Sequence, residues 1–405
     1  MQRPKTATLA VVVAALGYFV DIYDLILFSI VRVSSLQSLG VPKEQLLEQG
    51  VLLINMQMGG MLVGGVLWGV LGDRRGRLSV LFGSIALYSL ANLANGFVQS
   101  VELYAVLRFV AGVGLAGELG AGITLVSESL AKDERGKGTS VVAGVGTAGA
   151  VVASLVGAQF GWRAAYIVGG ALGIALLLLR VGVAESGLFT RVKAEAGVAR
   201  GDFFSLFTSW PRLKKYLSII AVGVPIWFTV GILVTFSPEL GKALGLSPAP
   251  EAGRAVLFMY AGLTLGDFAS GLVSQLLRQR KLVVRGFLTA TGLTFVAYFF
   301  VGGVSLPVFY GVCFAMGLAN GYWAMFVTIA SEQFGTNVRA TATTTVPNFV
   351  RGAVVPLTMT FGALKAPLGP LAAAGVVGGV MLTVAMLATF GLEETFGKDL
   401  DHLEA

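Results

Sequence analysis

The sequence predicts an all-α membrane protein, with twelve transmembrane helices in two pseudo-symmetric six-helix halves. Three observations predict it. Hydrophobic residues make up 55% of the 405-residue chain and charged residues 13%, about half the charged share of a soluble domain. Apolar runs of bilayer length, roughly 18 residues or more, recur from end to end. The two halves also repeat each other. Glu128 and Arg135 stand seven apart, as do Glu332 and Arg339 at an offset of 204, while Gly60, Gly64 and Gly69 match Gly262, Gly266 and Gly271 at an offset of 202. This composition excludes a soluble enzyme, a secreted disulfide scaffold and a disordered chain. The runs also lack the apolar–polar alternation of an outer-membrane barrel.

Runs of about 20 apolar residues place helices at 7–31, 51–71, 79–98, 102–130, 138–160 and 163–182. A polar segment follows, and six more helices fall at 214–237, 254–278, 282–302, 306–333, 341–364 and 367–391. The expected organisation is an N-terminal half at 1–183, a linker at 184–213, a C-terminal half at 214–391 and a tail at 392–405. The first run follows Arg3 and Lys5 but continues past Asp21, too long for a cleaved signal.

An even number of spans puts both ends on one face. With that face cytoplasmic, its segments carry 21 of the 29 Lys and Arg and the outer segments carry 6, the asymmetry that orients membrane proteins. The same asymmetry explains the net charge of +7 without a nucleic-acid partner. Cys313 is the only cysteine, so no intrachain disulfide is possible, and the only histidine, His402, lies in the tail. Proton chemistry is left to carboxylates, and no histidine metal site is available. No cofactor is expected.

Ionised groups inside a bilayer are costly and functional by default. Asp21, Asp24, Arg108, Asp267 and Arg351 fall inside apolar runs, and Glu118 lies nearer the cytoplasmic end of its helix. Asp21 and Asp24 are three apart and share a helix face. Asp24 lies about 10 Å from the outer end of helix 1 and Arg108 about 9 Å from that of helix 4, so their depths match for a pair. Such a carboxylate either titrates as access alternates or forms a purely structural ion pair.

Arg351 continues a polar stripe with Thr344 and Asn348 on helix 11, and its five-donor fork suits a carboxylate. Either Arg351 receives an anionic substrate, or Asp267 at similar depth neutralises it. Asn320, Tyr322 and Trp323 on helix 10 and Trp227 on helix 7 supply aromatic and polar groups suited to a small-molecule pocket, with packing as the alternative. Pro225, Pro347 and Pro356 allow helices 7 and 11 to bend. Asp73, Arg77, Glu128, Arg135, Glu332 and Arg339 form a cytoplasmic set that latches the halves, or that only anchors the fold.

Gly69-Val-Leu-Gly-Asp73-Arg-Arg-Gly76-Arg77 between helices 2 and 3 resembles the signature loop of the major facilitator superfamily. Arg108 to Glu118 on helix 4, Ser127-Glu128, Arg135-Gly136, Gly161-Trp-Arg163, Glu185-Ser186 and the tail Glu394-Thr-Phe-Gly397 are similar to its sugar-porter branch. The likeness is greatest to the metabolite:proton symporters, with Asp21-Ile-Tyr23-Asp24 in place of a Glu-Trp-Tyr-Asp-like run. The second signature loop departs: Gln275 stands where Asp would be, while Arg278, Arg280 and Lys281 persist.

The resemblance implies alternating access between two halves, powered by the proton gradient. It gives the helix 1 aspartate and the helix 4 arginine the coupling role. The expected function is proton-coupled symport of an organic anion or zwitterion by a monomer in a bacterial inner membrane, its partners being that solute, protons and the lipid bilayer. A sugar carrier or a drug exporter of the same fold, and a non-transporting receptor, are the alternatives.

Overall fold

The computed structural model describes residues 4–75, 77–120, 122, 126, 130, 135–185, 203–335 and 339–397, with side chains except at 4–10, 72–79, 135–137, 181–185, 205 and 339–340. Every regular element among them is helical. Lipid offers no partner to a backbone amide, so a spanning segment bonds to itself as a helix.

The first half comprises α1 (Pro4–Ser38), α2 (Leu46–Arg75), α3 (Arg77–Asn95), α4 (Val101–Leu115), α5 (135–160) and α6 (162–185). The last two are arms of one helical run, broken where Gly161 adopts φ +76°, a backbone that only glycine takes easily. The second half comprises α7 (Trp210–Phe228), α8 (Ala252–Leu277), α9 (Arg280–Phe299), α10, α11 and α12 (Pro370–Ala388). Here α10 is built of Leu306–Ala319 and Trp323–Gln333, and α11 of Arg339–Gly352 and Val354–Leu368. Among the described residues these helices fall on the twelve expected spans. Two ends move: α4 ends at Leu115, inside the expected 102–130, and α1 extends to Ser38 and so carries Arg32 inside the helix instead of in an outer loop.

The repeated glycines hold equivalent places. A Cβ at Gly60 or Gly64 would collide with the α4 carbonyls of Phe109 and Val113, and one at Gly262 or Gly266 with the α10 carbonyls of Phe314 and Leu318. Each half thus builds one close helix pair from the same pattern. The halves meet through α5–α6 against α8 and through α2 against α11, again equivalent pairs. On the outside, Val376, Val380, Val384 and Leu387 form an exposed apolar stripe along α12, the face such a helix turns to lipid. We call the side holding the chain ends the termini face and the opposite side the far face.

Candidate functional site

Three helices break at the seam between the halves, and each break positions a side chain. In α11 the interruption falls at Ala353, where Pro356 lacks the N–H that would reach the Gly352 carbonyl. Arg351 ends the turn before it. In α7, Pro225 leaves its own turn short of a donor, Thr229 Oγ1 donates to the Pro225 carbonyl at 2.9 Å, and the helix widens into a π segment at Thr229–Val234. Such segments mark functional sites often, and Trp227 lies beside this one. In α10 the chain loosens at Asn320–Tyr322, where Gly321 crosses the backbone of Gly266 too closely for any side chain, and Trp323 starts the second helix.

The three residues converge. Arg351 Nη2 stands 3.5 Å from Asp21 Oδ2, an ion pair longer than a hydrogen bond. The guanidinium carbon lies 5.7 Å from the Trp227 ring centre and 5.6 Å from that of Trp323, within cation–π range. The two indoles meet edge-on at 6.4 Å, and Trp323 Nε1 donates to the Tyr18 hydroxyl at 2.7 Å. Among the described residues, no guanidinium nitrogen of Arg351 and no carboxylate oxygen of Asp21 has a hydrogen-bond partner. Buried polar atoms in native proteins are nearly always bonded, so this donor fork is equipped for an acceptor that lies against the indole pair.

The other residues assigned to substrate hold broken helices instead. Asp267 Oδ1 accepts from Ala324 N at 3.0 Å. It caps the helix that begins at Trp323, where orphan amides and the helix dipole favour an anion. The partner of Arg351 is therefore Asp21, not Asp267. Tyr322 donates to the Val222 carbonyl at 2.9 Å and ties α10 to α7. Asn320 Nδ2 bonds Met316 O in its own helix at 2.8 Å. Asn348 Nδ2 bonds Ala116 O at 2.8 Å, satisfying a carbonyl freed where α4 bends.

The expected Asp24–Arg108 pair is not formed among the described residues. Arg108 Nη2 donates to Gln57 Oε1, and its guanidinium lies 5.2 Å from the Phe28 ring centre. Three residues along a helix amount to about 60° of turn. Asp21 therefore reaches the seam while Asp24 faces the interior of the first half, beside Asn92. Glu118 is held by Arg180, with Nη1–Oε2 at 3.0 Å, both side chains being buried.

Among the described residues Asp21, Asp24, Arg108, Asp267 and Arg351 are each 0% exposed, and contacts between the halves lie on either side of them. On the far face, Nη2 of buried Arg32 donates to both oxygens of Glu239 at 2.8 Å and Thr235 donates to Ser29 at 2.9 Å, joining α1 to the segment that follows α7. Thr358 bonds Asn55 at 2.8 Å alongside. Toward the termini face, Thr139 and Thr328 bond across the halves at 3.0 Å.

Of the expected latch set, Glu332 is buried and pairs with Arg280 at 2.7 Å, a survivor of the second signature loop. Glu394 from the tail accepts from Arg280 N and Lys281 N at 2.9 and 3.1 Å. Glu128 and the side chains of Asp73, Arg77, Arg135 and Arg339 lie outside the described residues. Tyr18, Gln57, Arg180 and the Arg32–Glu239 pair escaped the sequence reading. The first three are polar residues interrupting apolar runs, a signal present at Tyr18, one turn before Asp21.

The family model described as Major Facilitator Superfamily matches residues 14–354. The chain is 28% identical to the niacin transporter NiaP of Acinetobacter baylyi, over 69% of this chain and 70% of that one. It is 29% identical to the 3-(3-hydroxy-phenyl)propionate transporter of Escherichia coli, over 72% and 74%. Its identity to the inner membrane metabolite transport protein YgcS of Escherichia coli is 26%, over 69% and 68%.

Proposed function

The chain belongs to the major facilitator superfamily of transporters, and on that premise we propose that it carries a small aromatic carboxylate together with a proton across a bacterial inner membrane. The chain ends and the 184–213 linker face the cytoplasm in this reading, as the distribution of Lys and Arg favours. The observation that carries it is the Arg351 fork, fully buried against two indoles with no hydrogen-bonded acceptor among the described residues. Niacin and 3-(3-hydroxy-phenyl)propionate, named for two relatives, are both aromatic acids. A neutral sugar would offer that fork hydroxyl acceptors but no negative charge.

Coupling follows from competition. Asp21 is the counter-ion of Arg351 when no anion is bound. A substrate carboxylate that takes the fork strips Asp21 of its partner, and a lone buried carboxylate neutralises itself by binding a proton. Anion binding and proton uptake then become one linked event. Asp24, one helical turn away, is positioned to exchange protons with Asp21.

The test is binding of aromatic acids and their neutral amides to purified protein, read by quenching of Trp227 and Trp323 fluorescence. The acids bind at least tenfold more tightly than the amides. Equal affinity for both would remove Arg351 from recognition.

A further inference from the structure

The first half contains a second cluster of buried polar side chains that the seam does not use. Tyr88 OH, Ser89 Oγ and both side-chain atoms of Asn95 are buried without a hydrogen-bond partner among the described residues, and beside them the buried Asp24 carboxylate faces the buried Asn92 amide. Five buried polar residues so sparsely bonded within one small region is far from the rule for buried polar groups. Such groups are satisfied by internal water wherever several polar atoms converge on room enough to hold it.

Their heights can be read from α6. A Cβ added at Gly169 would overlap Asp24 Oδ1, and one at Gly173 would overlap Ser89 Oγ. Gly169 lies about 12 Å below the far-face break at Gly161, and Gly173 about 6 Å deeper. On α3, which runs the other way, Asn92 stands about 4.5 Å above Ser89, and so within about 1.5 Å of the level of Asp24. Asn95 is about 4.5 Å higher again and ends α3. Beyond it comes the far-face turn at 96–100, where Phe97 and Gln99 are exposed and Arg163 holds the Gly96 and Val98 carbonyls at 3.1 and 2.9 Å. Asn95, Asn92 and Asp24 thus form a column down from that turn, with Ser89 about one helical turn deeper, bounded by α1, α3 and α6.

We propose that this column is a water-filled proton path inside the first half, leading from the far face past Asn95 and Asn92 to Asp24 without passing through the substrate site. It rests on the reading that Asp24 exchanges protons. The charged and titratable groups around Asp24 are Asp21 and Tyr23 on its own helix, Tyr88 on α3, Arg108 on α4 and Tyr166 on α6. The path lets Asp24 equilibrate with the far side while the Arg32–Glu239 pair keeps the substrate site shut.

The experiment locks both gates. In a Cys313→Ala background, Ser29→Cys with Thr235→Cys and Thr139→Cys with Thr328→Cys replace two inter-half hydrogen bonds by disulfides. A pH jump on purified protein is followed by time-resolved infrared spectroscopy of the carboxyl stretch. The Asp24 band is identified by its loss in Asp24→Asn. The expected result is that the doubly locked protein keeps the Asp24 band, and that adding Asn95→Leu slows its appearance tenfold or more. Asn95→Ala serves if the leucine variant fails to fold, as judged by substrate counterflow in the unlocked protein. Loss of the band on locking would show that protons arrive through the substrate site, and an unchanged rate in both Asn95 variants would remove the column; either overturns the path. A spectrum that Asp24→Asn leaves unaltered overturns the underlying coupling role of Asp24 instead.

Discussion

Replacing Glu239 by Gln removes the anion from the far-face closure while keeping the side-chain shape. Arg32 is fully buried and Glu239 is 28% exposed, so in the closed state the variant leaves a buried guanidinium without its counter-ion. Breaking a fully buried pair costs about 3–5 kcal/mol. The exposure of Glu239 reduces this, and Arg32 keeps its bonds to Leu46 O and Thr235 O at 3.1 and 3.3 Å and its place over the Phe236 ring. About 2–3 kcal/mol is a fair figure. When the far face opens, Arg32 meets water and loses little, so this cost bears on the closed state alone. At tenfold per 1.4 kcal/mol, the open state gains about 30- to 150-fold. The assay is labelling of Ser29→Cys by a hydrophilic thiol reagent in detergent, in a Cys313→Ala background, with and without Glu239→Gln. Ser29 is 4% exposed in the closed protein, so its labelling rate reports opening. A rise of tens of fold is expected. An unchanged rate in a variant of normal thermal stability would refute the assignment of this pair as the far-face closure.

Arg351→Ala removes charge-assisted hydrogen bonds worth about 1.5–3 kcal/mol and weakens binding of aromatic acids by roughly 10- to 150-fold, while Arg351→Lys, which keeps charge but loses the fork, falls between; titration by tryptophan fluorescence checks the order. Asp21→Asn makes anion affinity independent of pH, whereas the native protein binds more tightly as pH falls because binding takes up a proton; a pH series of the same titration decides. Asp267→Ala leaves the helix at Trp323 uncapped and lowers stability by about 1–2 kcal/mol, seen as a fall in melting temperature with the acid-over-amide preference retained. Arg180→Leu strands buried Glu118 and costs about 3–5 kcal/mol, most of which Arg180→Leu with Glu118→Leu recovers; a double-mutant cycle of thermal stabilities measures it.

The spans, the duplication and the buried charges were legible because lipid imposes strict rules on sequence. A polar residue inside an apolar run has to be paired or used, which singled out Asp21, Asp24, Arg108 and Arg351 one by one. Partner choice was not legible. Asp267 and Arg351 share a depth, but a break at Asn320–Tyr322 frees the Ala324 amide and Asp267 goes there. That break depends on how Gly321 crosses Gly266, a contact no single run displays. Likewise Asp21 and Asp24 share a face by spacing, yet the residual turn of about 60° between them divides them between two polar clusters. The Arg32–Glu239 pair joins residues 207 apart, and it was hidden because Arg32 read as the first residue of a loop.

The most direct measurement is proton uptake on anion binding. Purified protein in a nearly unbuffered solution with a pH indicator is mixed with a saturating aromatic carboxylate at neutral pH, and the proton change is divided by the amount bound. Displacement of Asp21 from Arg351 requires uptake of about one proton per bound anion, and little in Asp21→Asn. Binding of the anion without any proton uptake by the native protein would contradict coupling at this pair.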